Sequence, residues 1–216
     1  KEKNVKRGDL LSLFSSKKNL KKYLCIIFVT VPVWYVMGTL VLFSPEYATL
    51  LGLPAKSISA GKAIMFAYAG ITIGDVVSGL LSQWLKSRKK ALGLFLSLTA
   101  IGIVLYFTFG GRSSVAFYSI VAFIGFATGY WAVFSSTASE LFGTNIRATA
   151  TTTAPNFVRG STILISLLLN LLVYLCSDNK ILATEITGAI LLAIGFIALY
   201  FLEETFHKDL NYIENE

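Results

Sequence analysis

The sequence predicts an all-α membrane protein with six transmembrane helices. Hydrophobic residues make up 55% of the 216 residues and charged residues 14%, whereas soluble domains contain about 45–50% apolar residues. Six apolar stretches, named span 1 to span 6, reach the roughly 20 residues that a helix needs to cross a bilayer. None shows the alternation of barrel strands, and a helix satisfies its own backbone amides in lipid. The spans are Tyr23–Phe43, Gly61–Leu85, Ala91–Phe109, Ala116–Leu141, Thr151–Cys176 and Ile181–Leu202.

The chain divides into a linker, the six spans and a tail. Residues 1–22 mix lysines with a short apolar cluster, which predicts an amphipathic linker on the cytoplasmic surface. Residues 23–202 are the transmembrane domain, and residues 203–216 are a cytoplasmic tail. The chain begins at Lys1 without a signal-peptide pattern, so we expect it to be a piece of a longer protein.

The net charge of +7 reflects basic residues that are sorted by loop. Most of them precede span 1, follow span 2, follow span 4 or lie in the tail, all on one side of the membrane. The other side receives only Lys56, Lys62, Arg112 and Lys180. By the positive-inside rule, we expect a multi-pass membrane protein with both termini in the cytoplasm. The expected location is the cell (inner) membrane. The basic excess therefore predicts contact with the lipid bilayer and no nucleic-acid partner.

The spans differ in polarity in a repeated order. Span 3 and most of span 6 contain no charged or amide residue, which is typical of helices that face lipid. Spans 2, 4 and 5 carry polar side chains. Two functional helices followed by one apolar helix, twice, predict a pair of inverted three-helix repeats.

Asp75 is the first candidate site residue, because it lies in span 2 about 16 Å of helical rise from Lys86. An acid near the bilayer midplane is a functional candidate, since it is costly unless paired or neutral. The alternative is a structural carboxylate that caps or pins a neighbouring helix. Gly74 and Gly79 are expected to let another backbone approach.

Arg159 is the predicted counterpart of Asp75. It follows Asn156 in span 5, roughly 18 Å of helical rise from Arg147, and span 5 also holds Asn170. Asp75 would alternate between pairing with Arg159 and carrying a proton, which it takes up when the solute or solvent draws Arg159 away. In the other interpretation, Arg159 extends to the cytoplasmic surface.

Four aromatic residues are candidate cavity residues. Trp34 and Tyr35 lie at mid-depth in span 1, and Tyr130 and Trp131 lie in span 4. Interfacial tryptophan usually marks the headgroup region, so a tryptophan at mid-depth favours a cavity wall, with core packing as the alternative. The GxxxG of Gly125 and Gly129 predicts close helix packing.

Opposite charges at the cytoplasmic ends of the spans predict a gating network. Glu140 ends span 4, Arg147 follows it, and Arg88, Lys89 and Lys90 follow span 2. Such a network would hold helix ends together when the cavity is closed on that side. The alternative is a solvated cluster, because exposed pairs contribute about 0–1 kcal/mol.

Three stretches resemble motifs of one family of membrane proteins. Residues 138–149, "ASELFGTNIRAT", are similar to "AELFPTRIRATG", and residues 203–214, "EETFHKDLNYIE", to "PETKGKDLDEIE". Residues 79–90, "GLLSQWLKSRKK", resemble a degenerate "GxLSDRxGRRR". On these motifs the whole chain resembles the C-terminal half of a major facilitator superfamily transporter of the sugar and metabolite symporter type. Gln83 occupies the position at which the third motif has an aspartate. This chain therefore has no acid at that position to take the usual role of the aspartate.

The resemblance implies a secondary transporter that moves a small solute by proton-coupled alternating access. The solute would be an organic anion, a sugar or another metabolite, and no cofactor or metal is implied. The family lines its cavity with helices equivalent to spans 1, 2, 4 and 5. The implied partners are an N-terminal six-helix half of the same transporter, the solute, a proton and the lipid bilayer.

Two other functions remain open from the residues alone. A membrane-embedded enzyme would need a nucleophile and base, or metal ligands, at membrane depth. The single histidine, His207, is in the tail, and Cys25 and Cys176 have no metal-ligand spacing, so the sequence disfavours an enzyme. A non-transporting membrane scaffold would not need Asp75 and Arg159 inside its spans.

Overall fold

The computed structural model describes residues 12–208 and 210, and its described part is almost entirely helical. The α-helices in that part are α1 (Ser12–Ser15), α2 (Lys17–Tyr35), α3 (Ser44–Leu50), α4 (Ala60–Trp84), α5 (Arg88–Phe109), α6 (Ser114–Thr128), α7 (Trp131–Leu141), α8 (Arg147–Leu175) and α9 (Lys180–Phe201). A π-helical segment, Val36–Val41, continues α2, and a 3₁₀ turn, Gly110–Arg112, follows α5.

Six helical segments are long and apolar enough to cross a membrane, as the sequence predicts. They are Lys17–Val41, Ala60–Trp84, Arg88–Arg112, Ser114–Leu141, Arg147–Leu175 and Lys180–Phe201, and they correspond to spans 1 to 6. Span 1 begins earlier than expected, because residues 17–22 of the predicted linker form its first turns. A hydropathy pattern marks the apolar part of a helix, and a helix can extend into the polar region beyond it. Residues 1–11 of the linker, and residues 209 and 211–216 of the tail, lie outside the described residues.

Spans 1 to 6 run up and down, so both ends of the six-helix unit lie at the same end of the bundle. That end carries Lys17, the loops 85–87 and 142–146, and the tail from Leu202 onward; we call it the basic end. Span 1 has the largest buried share of the six and packs against spans 5 and 6. Spans 2 and 4 pack together most extensively.

Glycines explain the close approach of spans 2 and 4. A Cβ atom added at Gly70 would lie 2.2 Å from the carbonyl oxygen of Ala122, and one added at Gly125 would lie 2.2 Å from that of Ala67. Gly74 and Gly129 face each other in the same way. The predicted GxxxG motif on span 4 therefore packs against a second GxxxG motif on span 2, formed by Gly70 and Gly74.

Gly79 differs from the expectation. A Cβ atom there would meet open space, so no backbone approaches it among the described residues.

The most exposed helices are not the ones that polarity predicted, namely spans 3 and 6. Only 22% of the most apolar window of span 2 and 17% of that of span 5 is buried, compared with 39% for spans 3 and 6. Polar side chains therefore lie on the two least buried helices. Sequence cannot assign these faces, because an apolar surface fits lipid and a neighbouring helix equally well.

Candidate functional site

Span 4 is interrupted in its middle. Helix α6 ends at Thr128, and α7 begins at Trp131, after the non-helical Gly129 and Tyr130. An interruption leaves the first amides of the second helix without helical acceptors, which is costly in a membrane unless another group accepts them. Gly129 allows the break to lie against span 2, where its nearest neighbours include the Cα atom of Gly74.

Asp75 of span 2 supplies the missing acceptor. Its Oδ1 atom accepts the backbone N–H of Trp131 at 2.7 Å and that of Ala132 at 3.2 Å. A carboxylate is favourable at a helix N-terminus, where the partial positive charge of the helix dipole lies. The structural alternative of the sequence analysis, an acid that caps a neighbouring helix, is therefore present in the structure.

Asp75 also lines a cavity between spans 1, 2, 4 and 5. This central cavity has a volume of about 220 Å³, and its wall includes Trp34, Met37, Tyr68, Asp75, Trp131 and Arg159. Four of the predicted site residues thus meet in one place. Each comes from a different span, so the cavity depends on the packing of all four helices.

Arg159 contacts the ring of Trp131. Its guanidinium group is 5.6 Å from the centre of the Trp131 ring, a cation–π contact. Its Nη1 atom donates a hydrogen bond to Oδ1 of Asn156 at 3.4 Å. Within residues 12–208 and 210, no direct ion pair joins Arg159 to Asp75. Trp131 is therefore the link between them, through its backbone to the acid and through its ring to the base.

Trp34 adds an unused donor to this cavity. Its indole Nε1 is buried and has no hydrogen-bond partner in the described part of the chain. A buried N–H without an acceptor is uncommon and calls for an explanation, such as an acceptor carried by a ligand. The wall of the cavity thus contains a residue with a buried, unpaired donor, Trp34, and the guanidinium group of Arg159.

Four other predicted site residues do not line the central cavity: Asn156, whose Oδ1 accepts from Arg159, and Tyr35, Tyr130 and Asn170. Tyr35 and Tyr130 are fully buried, and their hydroxyl groups donate to the backbone oxygens of Thr184 and Val29 at 2.8 Å and 3.0 Å. Both hydroxyls tie neighbouring spans together. Asn170 is exposed on span 5.

A second cavity, of about 450 Å³, lies on the other side of Asp75 toward the basic end. Its wall includes Asp75, Gly79, Gln83, Arg88 and Ser136. Asp75 therefore borders both cavities. Gln83, at the position where the resembled motif has an acid, faces this second cavity.

The basic end is held together by a pair of charged residues, Arg88 and Glu140. Nη2 of Arg88 lies 2.9 Å from Oε1 of Glu140, and Nε donates to both carboxylate oxygens at 3.2 Å and 3.3 Å. Nη1 of Arg88 donates to the Ser82 hydroxyl at 2.7 Å. The pair is mostly buried, with side-chain exposures of 12% and 14%, so solvent screens it less than a surface pair.

The tail also takes part in this network. The sequence analysis did not predict this contribution. Thr205 donates its hydroxyl hydrogen to Oε2 of Glu140 at 2.6 Å. Glu204 accepts the backbone N–H of Arg88 at 2.9 Å and that of Lys89 at 3.3 Å, and it also accepts a hydrogen bond from the Ser87 hydroxyl. The tail therefore supplies an acid at the N-terminus of α5.

The N-terminal sequence of α5 could have indicated this arrangement. Ser87 is an N-cap residue, and its Oγ accepts the N–H of Lys90 at 3.1 Å. A capping box would place Glu or Gln at residue 90, where this chain has lysine. Glu204, from a distant part of the sequence, instead accepts the N–H groups of Arg88 and Lys89, the first two residues of α5. Burial alone would raise the pKa of Glu204, but the hydrogen bonds from Ser87 and from backbone amides lower it below its ordinary value.

The other predicted gating residues have different partners. Arg147 donates to the backbone oxygens of Phe142 and Leu210, at 3.1 Å and 2.5 Å. Lys89 donates through Nζ to the backbone oxygen of Tyr200 at 2.7 Å, and the side chain of Lys90 is exposed. Arg88 is thus the basic residue that joins Glu140 directly, whereas Arg147 bonds to a loop and the tail, and Lys89 bonds to the end of span 6.

No protein-family model matches this chain, and no curated protein matches it. Among residues 12–208 and 210, no group of three or more His, Cys, Asp and Glu side chains lies together as metal ligands would. The geometry of the chain itself is therefore the basis for its functional interpretation.

Proposed function

We propose that the chain is the C-terminal six-helix half of a major facilitator superfamily transporter, which moves a small solute across the cell membrane by proton-coupled alternating access. One observation carries the proposal: Asp75 and Arg159, both near mid-span, border one cavity on the two least buried spans. The residue resemblance given above is consistent with it.

The exposure of Arg159 favours a partner half. Arg159 is exposed about 18 Å of helical rise from the first residue of span 5. An arginine that faces lipid at the centre of a helix costs about 2.5–3.5 kcal/mol or more. Water or another protein surface is therefore the expected neighbour. A second six-helix half against spans 2 and 5 would enclose the central cavity and keep lipid away from Arg159.

Corresponding irregularities support two inverted three-helix repeats. Span 1 contains the π-helical segment Val36–Val41, and span 4, its equivalent, is broken between Thr128 and Trp131. Spans 2 and 5 are the exposed, polar pair. Irregular helices in corresponding spans of two repeats are typical of transporter binding sites.

The chemistry of the central cavity favours an anionic group on the solute. Arg159 can form a planar pair of hydrogen bonds with a carboxylate or phosphate, and the Trp34 indole can donate a further hydrogen bond. Asp75 borders both cavities, so it can exchange a proton with either. A proton on Asp75 and an anion beside Arg159 would then cross together. Sugars and other metabolites with several acceptor oxygens fit the same donors.

The Arg88–Glu140 pair, with Thr205, is the proposed gate at the basic end. These contacts hold the ends of spans 3 and 4 and the tail in one arrangement, and their loss would open the second cavity toward that side. With both termini in the cytoplasm, as the basic residues predict, this gate is the cytoplasmic one.

The test is reconstitution of the chain with its six-helix partner half in liposomes that contain a pH-sensitive dye. Small carboxylates, phosphates and sugars are added outside under an inward proton gradient. We expect one solute class to drive proton entry and to accumulate. Asp75→Asn should abolish accumulation but retain solute exchange, and Asp178→Asn, in an exposed loop, is the matched control. Arg159→Lys should weaken binding of an anionic solute about tenfold or more, because lysine lacks the planar fork.

Saturable, proton-coupled uptake by the chain alone would contradict the need for a partner half. If no solute moved protons in the assembled protein, and none protected a cysteine in the central cavity from labelling, the transporter function would be wrong and a scaffold function would be favoured.

A further inference from the structure

An apolar groove lies on the outer surface between span 1 and span 6, at the basic end. Its volume is about 480 Å³. Phe28 is 40% exposed, Ile197 is 59% exposed and Phe201 is 51% exposed along its walls. The groove is therefore a concave surface that remains open to the surroundings of the helices.

Two lysines line one end of this groove. Lys17 and Lys21 are exposed and lie four residues apart on span 1, so they project from the same face of the helix. Nζ of Lys21 is 4.7 Å from the centre of the Phe201 ring. Phe28, seven residues further along, lies about 10 Å deeper. The groove thus has a cationic mouth and an apolar floor.

The charges around the mouth are predominantly positive. Lys17 and Lys21 are the charged residues that line the groove, and its other lining residues are apolar or the thiol of Cys25. An anion at this position would be attracted, whereas a zwitterionic group would bring its own cation against the lysines.

We propose that this groove binds one anionic glycerophospholipid. The phosphate lies between Lys17 and Lys21, and an acyl chain follows Leu24, Phe28 and Ile197 along the floor. The groove changes from cationic to apolar along the span, as such a lipid changes from its anionic headgroup to its acyl chains. Basic pockets between transmembrane helices are known to bind anionic headgroups. The proposal requires that the spans cross a membrane, and it does not depend on the transport function.

The experiment is native mass spectrometry of the full chain in a neutral detergent, titrated with phosphatidylglycerol or with phosphatidylcholine of the same acyl chains. We expect one phosphatidylglycerol to bind at least tenfold more tightly than phosphatidylcholine. Each lysine near an anionic headgroup contributes a factor of about five, so Lys17→Gln with Lys21→Gln should weaken phosphatidylglycerol binding about 25-fold. Lys56→Gln with Lys62→Gln, two exposed lysines outside the groove, should leave binding unchanged.

Two further variants separate charge from groove shape and from folding. Lys17→Arg with Lys21→Arg keeps the charge and should retain the preference for phosphatidylglycerol. Leu24→Trp fills the floor and should reduce binding of both lipids. Each variant is compared only if its thermal unfolding in detergent matches that of the unaltered chain, and the arginine variant provides the comparison if the glutamine variant unfolds.

Several outcomes would overturn the proposal. Equal binding of the two lipids would show that the groove is only an apolar surface. Equal losses in the two lysine pairs would indicate general electrostatic attraction to the protein rather than binding in the groove. Displacement of the lipid by millimolar inorganic phosphate would show that the mouth binds a free anion. A dimer that lipid does not dissociate, and that Leu24→Trp abolishes, would make a second copy of the chain the occupant.

Discussion

The carboxylate of Asp75 accepts the backbone N–H of Trp131 at 2.7 Å, across the interface between spans 2 and 4. This bond makes an acid of one helix the N-terminal cap of another helix inside the apolar region. The acid is tolerated there because it compensates the free amides of a broken helix. It also borders two cavities, so its structural role and its proposed role in proton binding occupy the same side chain.

Variants of Asp75 should separate these two roles. Asp75→Ala removes the acceptor for the Trp131 and Ala132 amides, and each buried donor left unsatisfied costs about 1–3 kcal/mol. Asp75→Asn keeps an acceptor oxygen, so it should retain most of the stability. Thermal unfolding in detergent, with hydrogen exchange at the two amides, measures the difference. Equal stability of the Ala and Asn variants would show that the capping bonds contribute little.

The packing of spans 2 and 4 should be sensitive to single methyl groups. Gly125→Ala places a Cβ atom 2.2 Å from the carbonyl oxygen of Ala67, so the helices must move apart. We expect a loss of about 1–3 kcal/mol in unfolding free energy. Gly79→Ala, where the Cβ atom meets open space, is the control and should be neutral or slightly stabilising. Thermal unfolding measures both, and similar effects would contradict the assigned packing.

The Arg88–Glu140 pair should control access to the second cavity. Glu140→Gln weakens the pair, and a change of about 1–2 kcal/mol shifts a two-state population about five- to thirtyfold. A cysteine at position 136 (Ser136→Cys), in the wall of that cavity, should then react faster with a membrane-impermeant maleimide.

Controls for this gate come from its neighbours. Arg147→Gln loses bonds to Phe142 and Leu210 rather than to Glu140, and it should change the labelling rate less. Arg88→Gln with Glu140→Gln should resemble either single variant, because both remove the same interaction. Additive effects of the two single variants would show that the pair does not act as a unit.

Docking of the tail on α5 should weaken in acid. The pKa of Glu204 lies below its ordinary value of 4.5 in the folded state, so its contribution is complete above pH 4.5 and is lost as the pH falls through the lowered pKa. A fluorophore at position 207 (His207→Cys) should report this release. Glu204→Gln should abolish the pH dependence, while Glu203→Gln, at an exposed neighbour, should preserve it.

The sequence by itself determined the six apolar helices, because the number of consecutive apolar residues needed to cross a bilayer is a local property of the chain. It also singled out Asp75 and Arg159, since charges within apolar segments are visible without a fold. The GxxxG at Gly125 and Gly129 predicted close packing for the same reason: a missing side chain is a local feature.

Tertiary structure alone decided the partners of these residues. The acceptor role of Asp75 depends on a break in span 4, and nothing in "GFATGYWAVF" fixes which span supplies the cap. Glu204 reaches the N-terminus of α5 across more than a hundred residues. The sequence cannot distinguish a tyrosine that lines a cavity from one that is buried in the core. The hydroxyl groups of Tyr35 and Tyr130 are in the core because backbone carbonyl groups of neighbouring spans accept their hydrogen bonds there. Such contacts depend on the packing of distant segments, which local composition and spacing do not encode.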